Sequence, residues 1–221
     1  MQAFDAERIA SLDKVHRINL ANSATGFKSA NLIATRGADG HTNVAIFSSV
    51  AHLGSNPPLL GFVLRPTTVP RGTYANILET KRFTVNHVTV PVVYDAHQSA
   101  AKYRHGDSEF DHTALEEEYV ENVDIPFVKQ SPVRVLCTYL SEYPIAENGT
   151  VHIIARMDTI YCDDSILTDD CWVDLGKAGV VTLDGFDGYA RVEVFDRLSY
   201  PRPKSWPHSV FEQGESANDT E

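Results

Sequence analysis

NLIATR (31–36), GADG (37–40) and TNVAIFSSV (42–50) form the stretch on which the fold is decided. Both outer pieces are short runs with a mostly apolar middle, and the segment between them holds two glycines and an aspartate. That is the pattern of two antiparallel strands joined by a short glycine-containing hairpin loop. A third strand is expected over Leu59–Arg65, because Pro57-Pro58 disfavours helix before it and Pro66 ends it. Arg82–Val88 alternates in the same way. Pro132–Leu140 and Thr150–Tyr161 are β-rich runs separated by Glu147-Asn148-Gly149, a turn favouring positive φ, and read as an antiparallel pair.

Helices are few. Ile9, Leu12, Val15 and Ile18 recur at helical spacing, so Asp5–Ile18 is expected to be an amphipathic helix packed on a sheet. Thr73–Thr80 reads as a second, short helix with Thr73 as its cap. The polar interval 98–124 is too long for a plain hairpin loop and is expected to hold a short helix or a lid. Many strands, few helices and no βαβ rhythm indicate an antiparallel barrel or sandwich with helical additions. With 221 residues, one domain is the default. It is expected over 1–203, with 204–221, rich in Ser and acidic residues and ending SANDTE, as a flexible tail.

Composition narrows the function. A formal charge of −11 repels polyanions and argues against nucleic acid as the main partner, while leaving room for arginines to bind a small phosphate. The longest apolar run, Leu59–Leu64, is too short to span a bilayer. The first ten residues carry Asp5 and Glu7 and lack the basic start and apolar core of an export signal, so a cytoplasmic address is expected. Cys137, Cys162 and Cys171 lack CxxC spacing and read as buried free thiols. His97, His105 and His112 with Glu109 and Asp111 fit no standard metal motif, and no metal is expected.

Read in order, Asp39-Gly40, Asn43, Ala45 and Ser48 are followed by Ser55 with Pro57-Pro58, by Thr73 with Asn76-Ile77, and by Phe83, Val85 and Asn86. This series resembles the flavin reductase-like family, whose members carry such a strand pair, a S-x-x-P-P segment, a T-x-x-N-I helix start and an F-x-V-N strand. The likeness extends through Ser99–Tyr103, Ser108-Glu109-Phe110, Asn148–His152, Gly188-Tyr189 and Ser199–Pro203, from about residue 31 to 203. It implies a mainly β fold, an antiparallel split β-barrel that binds FMN, with a few peripheral helices. It also implies a homodimer with the flavin near the subunit interface.

The chemistry of FMN explains why such residues suit it. Its phosphate needs amides, hydroxyls and guanidinium groups in convergence, and Arg65, Thr67, Arg71, Ser49 and Thr73 are the candidates on this resemblance, with Asn76 in the same helix start. Apart from it, Arg65 and Arg71 read equally as partners in surface ion pairs. The isoalloxazine needs a flat slot with donors at its pyrimidine edge. Asn43, Ala45 and Ser48 are the candidates to line it, and Phe47 to wall it. Each also reads as an ordinary strand residue. The resemblance gives His152 a place on the nicotinamide side of the pocket, in substrate placement or proton supply, although a structural histidine fits the same pattern.

The implied activity is hydride transfer from NADH or NADPH to FMN, then delivery of electrons to free flavin, oxygen or a partner. Two alternatives stand beside it: a non-catalytic FMN-binding electron carrier, and a flavoprotein oxygenase.

Overall fold

The strand pair that opens the reading forms as expected, in register from Asn31 opposite Phe47 to Arg36 opposite Thr42. The computed structural model describes residues 1–69, 71–104 and 106–213; Pro70, His105 and 214–221 lie outside the described residues. In chain order the strands are β1 (Lys28–Ser29), β2 (Asn31–Arg36), β3 (Thr42–Phe47), β4 (Ala51–Ser55), β5 (Pro58–Leu64) and β6 (Arg82–His87). They continue as β7 (Glu117–Glu118), β8 (Phe127–Val128), β9 (Val133–Ile145), β10 (Thr150–Cys162), β11 (Val181–Asp184) and β12 (Gly188–Arg191). The α-helices are α1 (Ala6–Ser11), α2 (Lys14–Ser23), α3 (Gly72–Thr80), α4 (Val93–Gln98) and α5 (Val210–Gln213). Among the described residues, no helix is long and apolar enough to cross a membrane.

Seven strands make one antiparallel sheet in the order β3-β2-β6-β9-β10-β5-β4. Its end strands β3 and β4 do not pair with each other. The Ser49 hydroxyl, two residues past β3, instead donates to the Val63 carbonyl and accepts from the Val63 N–H on β5, at 3.2 and 2.9 Å. Phe47 meets Phe62 edge-on at 5.3 Å, and Phe62 meets Phe83 at 5.6 Å. Side chains thus bridge a gap that backbone pairing leaves open, and the architecture is a split barrel.

Alternation along the strands sorts residues into two cores. Ile33, Phe62, Leu64, Ile77, Phe83, Val85, Cys137, Val151 and Ile153 fill the interior. Each fully buried phenylalanine there stabilises the fold by roughly 1.5–3 kcal/mol. Leu32, Ala34 and Val44 face outward into a second cluster, covered by Val92, Ala96, Phe110 and Val128 and by Val181 and Leu183 of β11. On that outer face Asn86 donates to Leu32 O and Thr84 Oγ1 and accepts from Val128 N–H, which pins β8 across β6.

Several expectations need correction. The N-terminal helix is two, broken at Leu12–Asp13, where the Asp13 carboxylate accepts from the amides of Val15 and His16 and starts α2. Neither helix fully buries a residue, and of the periodic positions Ile9, Leu12 and Ile18 are half-buried while Val15 is exposed. β4 has no counterpart in the alternation reading, because nearly all of it is exposed and its register shifts at Leu53. Of the three thiols only Cys137 is buried; Cys162 is half-buried and Cys171 exposed.

Candidate functional site

The site is built where α3 lies on the β2–β3 pair. α3 begins after the loop that leaves β5, and its interior residue Ile77 anchors it in the barrel core. Its N-cap is Arg71, in extended conformation and without a side-chain cap, so Thr73 lies inside the first turn rather than capping it. The first i→i+4 bond runs from the Ala75 N–H to the Arg71 carbonyl. The amides before it therefore have neither helical acceptors nor a capping oxygen, and the positive end of the helix dipole stands there with them.

Two polar links fix the helix. Asn43 Nδ2 donates to Thr73 Oγ1 at 2.9 Å, and Asn76 Nδ2 donates to Thr35 Oγ1 at 3.0 Å. Thr35 and Asn43 are register partners on neighbouring strands, so the links form a tight four-residue clasp. Gly72 makes the close approach possible, since a Cβ there would lie 2.4 Å from Asn43 Oδ1. Arg71 brings its guanidinium to this corner with Nε buried and without a partner.

Other groups lie around the gap between β3 and β5. Ala45 is half-buried on the same face of β3 as Asn43 and Phe47. The Ser48 hydroxyl makes no hydrogen bond among the described residues, whereas that of Ser49 is engaged with Val63. Arg65 is exposed, its guanidinium carbon 5.1 Å over the ring of Phe186 in the β11–β12 turn. Thr67 is exposed on the loop. His152 pairs in register with Val63 and Tyr143 and is half-buried on the face opposite Val151 and Ile153, hence outside the barrel interior. It packs closely over Gly61, where a Cβ would come within 2.6 Å of His152 Nε2.

The electrostatics next to α3 are specific. The Tyr74 hydroxyl donates to Glu142 Oε1 at 2.9 Å, and burial followed by this contact pushes the phenol up to about 12. The other oxygen, Glu142 Oε2, is buried without a partner. On the far side of β3, Glu109 accepts from the Val44 N–H at 2.9 Å, and burial raises its carboxyl above the usual range against the lowering effect of that bond. Among the described residues, no group of three or more His, Cys, Asp or Glu side chains is placed to hold a metal; His105 lies outside them.

The sequence model of the flavin reductase like domain matches residues 26–173, about two thirds of the chain. The chain belongs to the flavin reductase-like family. A crystal structure from Shewanella frigidimarina, described as a flavin reductase with a split barrel domain, is 39% identical, covers 91% of this chain and all of that one, and superposes with a TM-score of 0.88. Component B of nitrilotriacetate monooxygenase from Bacillus cereus shares the fold at 18% identity and a TM-score of 0.78, over 89% of this chain and 98% of that one. An uncharacterised Bacillus subtilis protein, YwrF, is 27% identical over 138 residues, 62% of this chain and 66% of its own length. Membership in the flavin reductase-like family supports a flavin-related redox function.

Within this family member the residues singled out from sequence divide into two groups. Asn43, Thr73 and Asn76 are joined in the clasp, with Arg71 beside them, and Phe47, Ser48 and Ser49 line the route from β3 to β5. Arg65 and Thr67 stand apart from the clasp in solvent, and His152 lies on the other face of the sheet. Sequence reasoning missed Gly72, Gly61, Tyr74, Glu142 and Phe186. The signal for Gly72 was its place at a helix start, where a missing side chain marks close backbone approach.

Proposed function

We propose that the chain binds FMN along the gap between β3 and β5, with its phosphate at the first turn of α3, and uses it as a redox cofactor. The observation that carries this reading is the uncapped start of α3 beside the unpartnered, buried Arg71 Nε. Free amides and a buried guanidinium donor without an acceptor suit a dianionic phosphate. FMN supplies hydride and single-electron chemistry when bound. The residues here bind and orient: Thr73 and Asn43 set the helix start, the free Ser48 hydroxyl offers a donor to the ring, and Phe47 offers it an apolar wall. Ser49, whose hydroxyl already holds Val63, shapes the gap. Arg65 and Thr67 reach the phosphate only by turning inward from solvent.

NADH or NADPH is the proposed electron donor, with free flavin, oxygen or a partner protein as acceptor, and His152 places the donor at the outer face of β10. A homodimer, in which a second copy covers that face, brings His152 toward a flavin site. Absorbance of purified protein tests the core of this reading. Blue and near-ultraviolet peaks from a cofactor that co-chromatographs with FMN are expected, and Arg71→Ala should weaken FMN binding about tenfold or more, the scale of a lost charge-assisted bond. A colourless protein that takes up no FMN overturns the reading. Oxidation of NADH or NADPH with added FMN separates the reductase from an electron carrier, which would be yellow without turnover.

A further inference from the structure

The described part of the C-terminal segment ends in an ordered arm that serves nothing in the site above. Of the tail expected from residue 204, residues 204–213 form the returning limb of this arm and α5. Isolated bridges pair Leu198 with Ser209 and Arg202 with Ser205. Between them the Ser199 N–H donates to the His208 carbonyl and the His208 N–H to Ser199 Oγ. Residues 198–209 thus make a narrow hairpin that turns at Arg202–Ser205.

The root of the arm is fixed. Arg197 and Asp170 form an ion pair at 2.7 Å with side chains only 14% and 12% exposed, and the Arg197 guanidinium lies 4.4 Å over the ring of Trp172. The Val210 N–H donates to the Arg197 carbonyl, and the Val210 side chain is buried. Large apolar side chains just before that root and along the arm beyond it are exposed. Phe195 is 93% exposed, Trp206 92%, Tyr200 64% and Leu198 58%. A fixed segment that holds two aromatic rings almost wholly in water differs from scattered surface apolar residues, and such a cluster marks an interaction site.

We propose that this arm docks on a second copy of the chain and forms part of the homodimer contact. Area supports that occupant. With roughly 150–250 Å² per large aromatic, the four side chains expose about 600 Å². A twofold exchange of arms, counting the surfaces that receive them, buries about 2,400 Å², which is in the range of stable dimers. Charge acts in the same direction. The turn carries Lys204, whose charge is complementary to an acidic surface, and the chain has 30 acidic against 19 basic residues. Trp and Tyr dominate such contacts energetically, which makes Trp206 and Tyr200 the anchors.

This inference rests on the homodimer reading but not on the flavin, and its test separates the two. Sedimentation of the full chain measures the dimer dissociation constant for the wild type and for Trp206→Ser combined with Phe195→Ser. These exposed positions leave the root intact, and circular dichroism checks the fold. The double variant is expected to raise the dissociation constant at least tenfold. In the wild-type dimer, the part of the acrylamide-quenchable emission that Trp206→Phe removes should be shielded, and it should become accessible on dilution. A dimer with an unchanged dissociation constant and an accessible Trp206 overturns the arm and leaves the homodimer standing. A monomer at all concentrations overturns both, with flavin absorbance still read independently. Emission that responds only to phosphatidylcholine–phosphatidylglycerol vesicles assigns the arm to a lipid surface and overturns the proposal as well.

Discussion

The seven-stranded sheet ends on β3 at one side and on β4 at the other, and the two lips of the split have opposite surroundings. Along β3, Glu109 accepts from the Val44 N–H, Thr42 lies within hydrogen-bond reach of Ser108, and α3 is clasped through Asn43. The edge-strand donor at Val44, which would otherwise invite another strand, is taken up by a side chain from a distant part of the chain. β4 has no such cover. Its residues are almost all exposed, its register shifts at Leu53, and only β5 pairs with it. One lip is a finished wall that positions a helix start; the other is a bare edge next to the His152 face. The packed parts of this barrel therefore lie on one side of the gap, and the exposed strand on the other.

The sharpest way to break the comparison is to strip β3 of its cover. Glu109→Ala leaves the Val44 N–H without its carboxylate, and a loss of about 1–3 kcal/mol is expected in urea unfolding. Glu109→Gln keeps an acceptor without the charge and should be far milder. The sign of the pH effect follows from burial, which places the folded-state pKa of Glu109 above its unfolded value. The associated stability is complete below the ordinary glutamate pKa and is lost as pH rises through the raised value. Wild-type stability should therefore fall across that window relative to Glu109→Gln, and parallel curves for the two proteins would contradict the burial of the charge.

A second test moves to the middle of the other half. Gly61→Ala places a methyl 2.6 Å from His152 Nε2, 2.9 Å from Leu53 Cδ1 and 3.0 Å from the Ile153 carbonyl. The two side chains can turn away but the carbonyl cannot, so a loss of roughly 1–3 kcal/mol is expected, together with a displaced imidazole. If His152 positions the electron donor, the KM for NADH or NADPH should rise while FMN affinity holds. Unchanged kinetics in a destabilised protein would make His152 a structural residue.

A smaller effect is expected at the clasp. Asn43→Ala removes the bond to Thr73 and frees space beside Gly72, and should cost about 1 kcal/mol in stability. FMN affinity should fall with it, as measured by fluorescence titration, because the first turn of α3 loses its fixed position. Equal affinity in the variant would separate the clasp from phosphate binding.

What the sequence made legible follows the physical strength of each signal. β2, β3, β9 and β10 were readable because one or both faces are buried and the period of two is enforced by packing. β4 was not, because its alternation has little to bury and a register shift interrupts it. The helix over 73–80 was legible from composition, but its cap was misassigned: Thr73 has the chemistry of a cap, and the contact with Asn43, which no local pattern encodes, engages its hydroxyl instead. Ser49 looked like a phosphate ligand for the same reason, and its hydroxyl holds Val63 across the gap. Glu109 was legible only as part of the Ser108-Glu109-Phe110 likeness and of an acidic cluster, and its structural role was not, since its bond to Val44 spans 65 positions. The N-terminal periodicity reached only partial cover, with Ile9, Leu12 and Ile18 half-buried and Val15 exposed, so repetition at helical spacing did not become full burial.

The least costly change tests whether the β4 lip is as bare as its exposure indicates. Leu53→Ser alters an exposed side chain whose Cδ1 lies over Gly61, so the unfolding free energy of the isolated chain should change by no more than about 0.5 kcal/mol. Measured well below the dimer dissociation constant, the urea midpoint should therefore stay near that of the wild type. At concentrations where a dimer forms, the same substitution should destabilise in proportion to how far the second copy covers β4, because binding to the folded state alone adds to apparent stability. A large loss in the monomer would place Leu53 in a packed contact and remove the contrast between the two lips, whereas a loss confined to high concentration would place the second copy over β4.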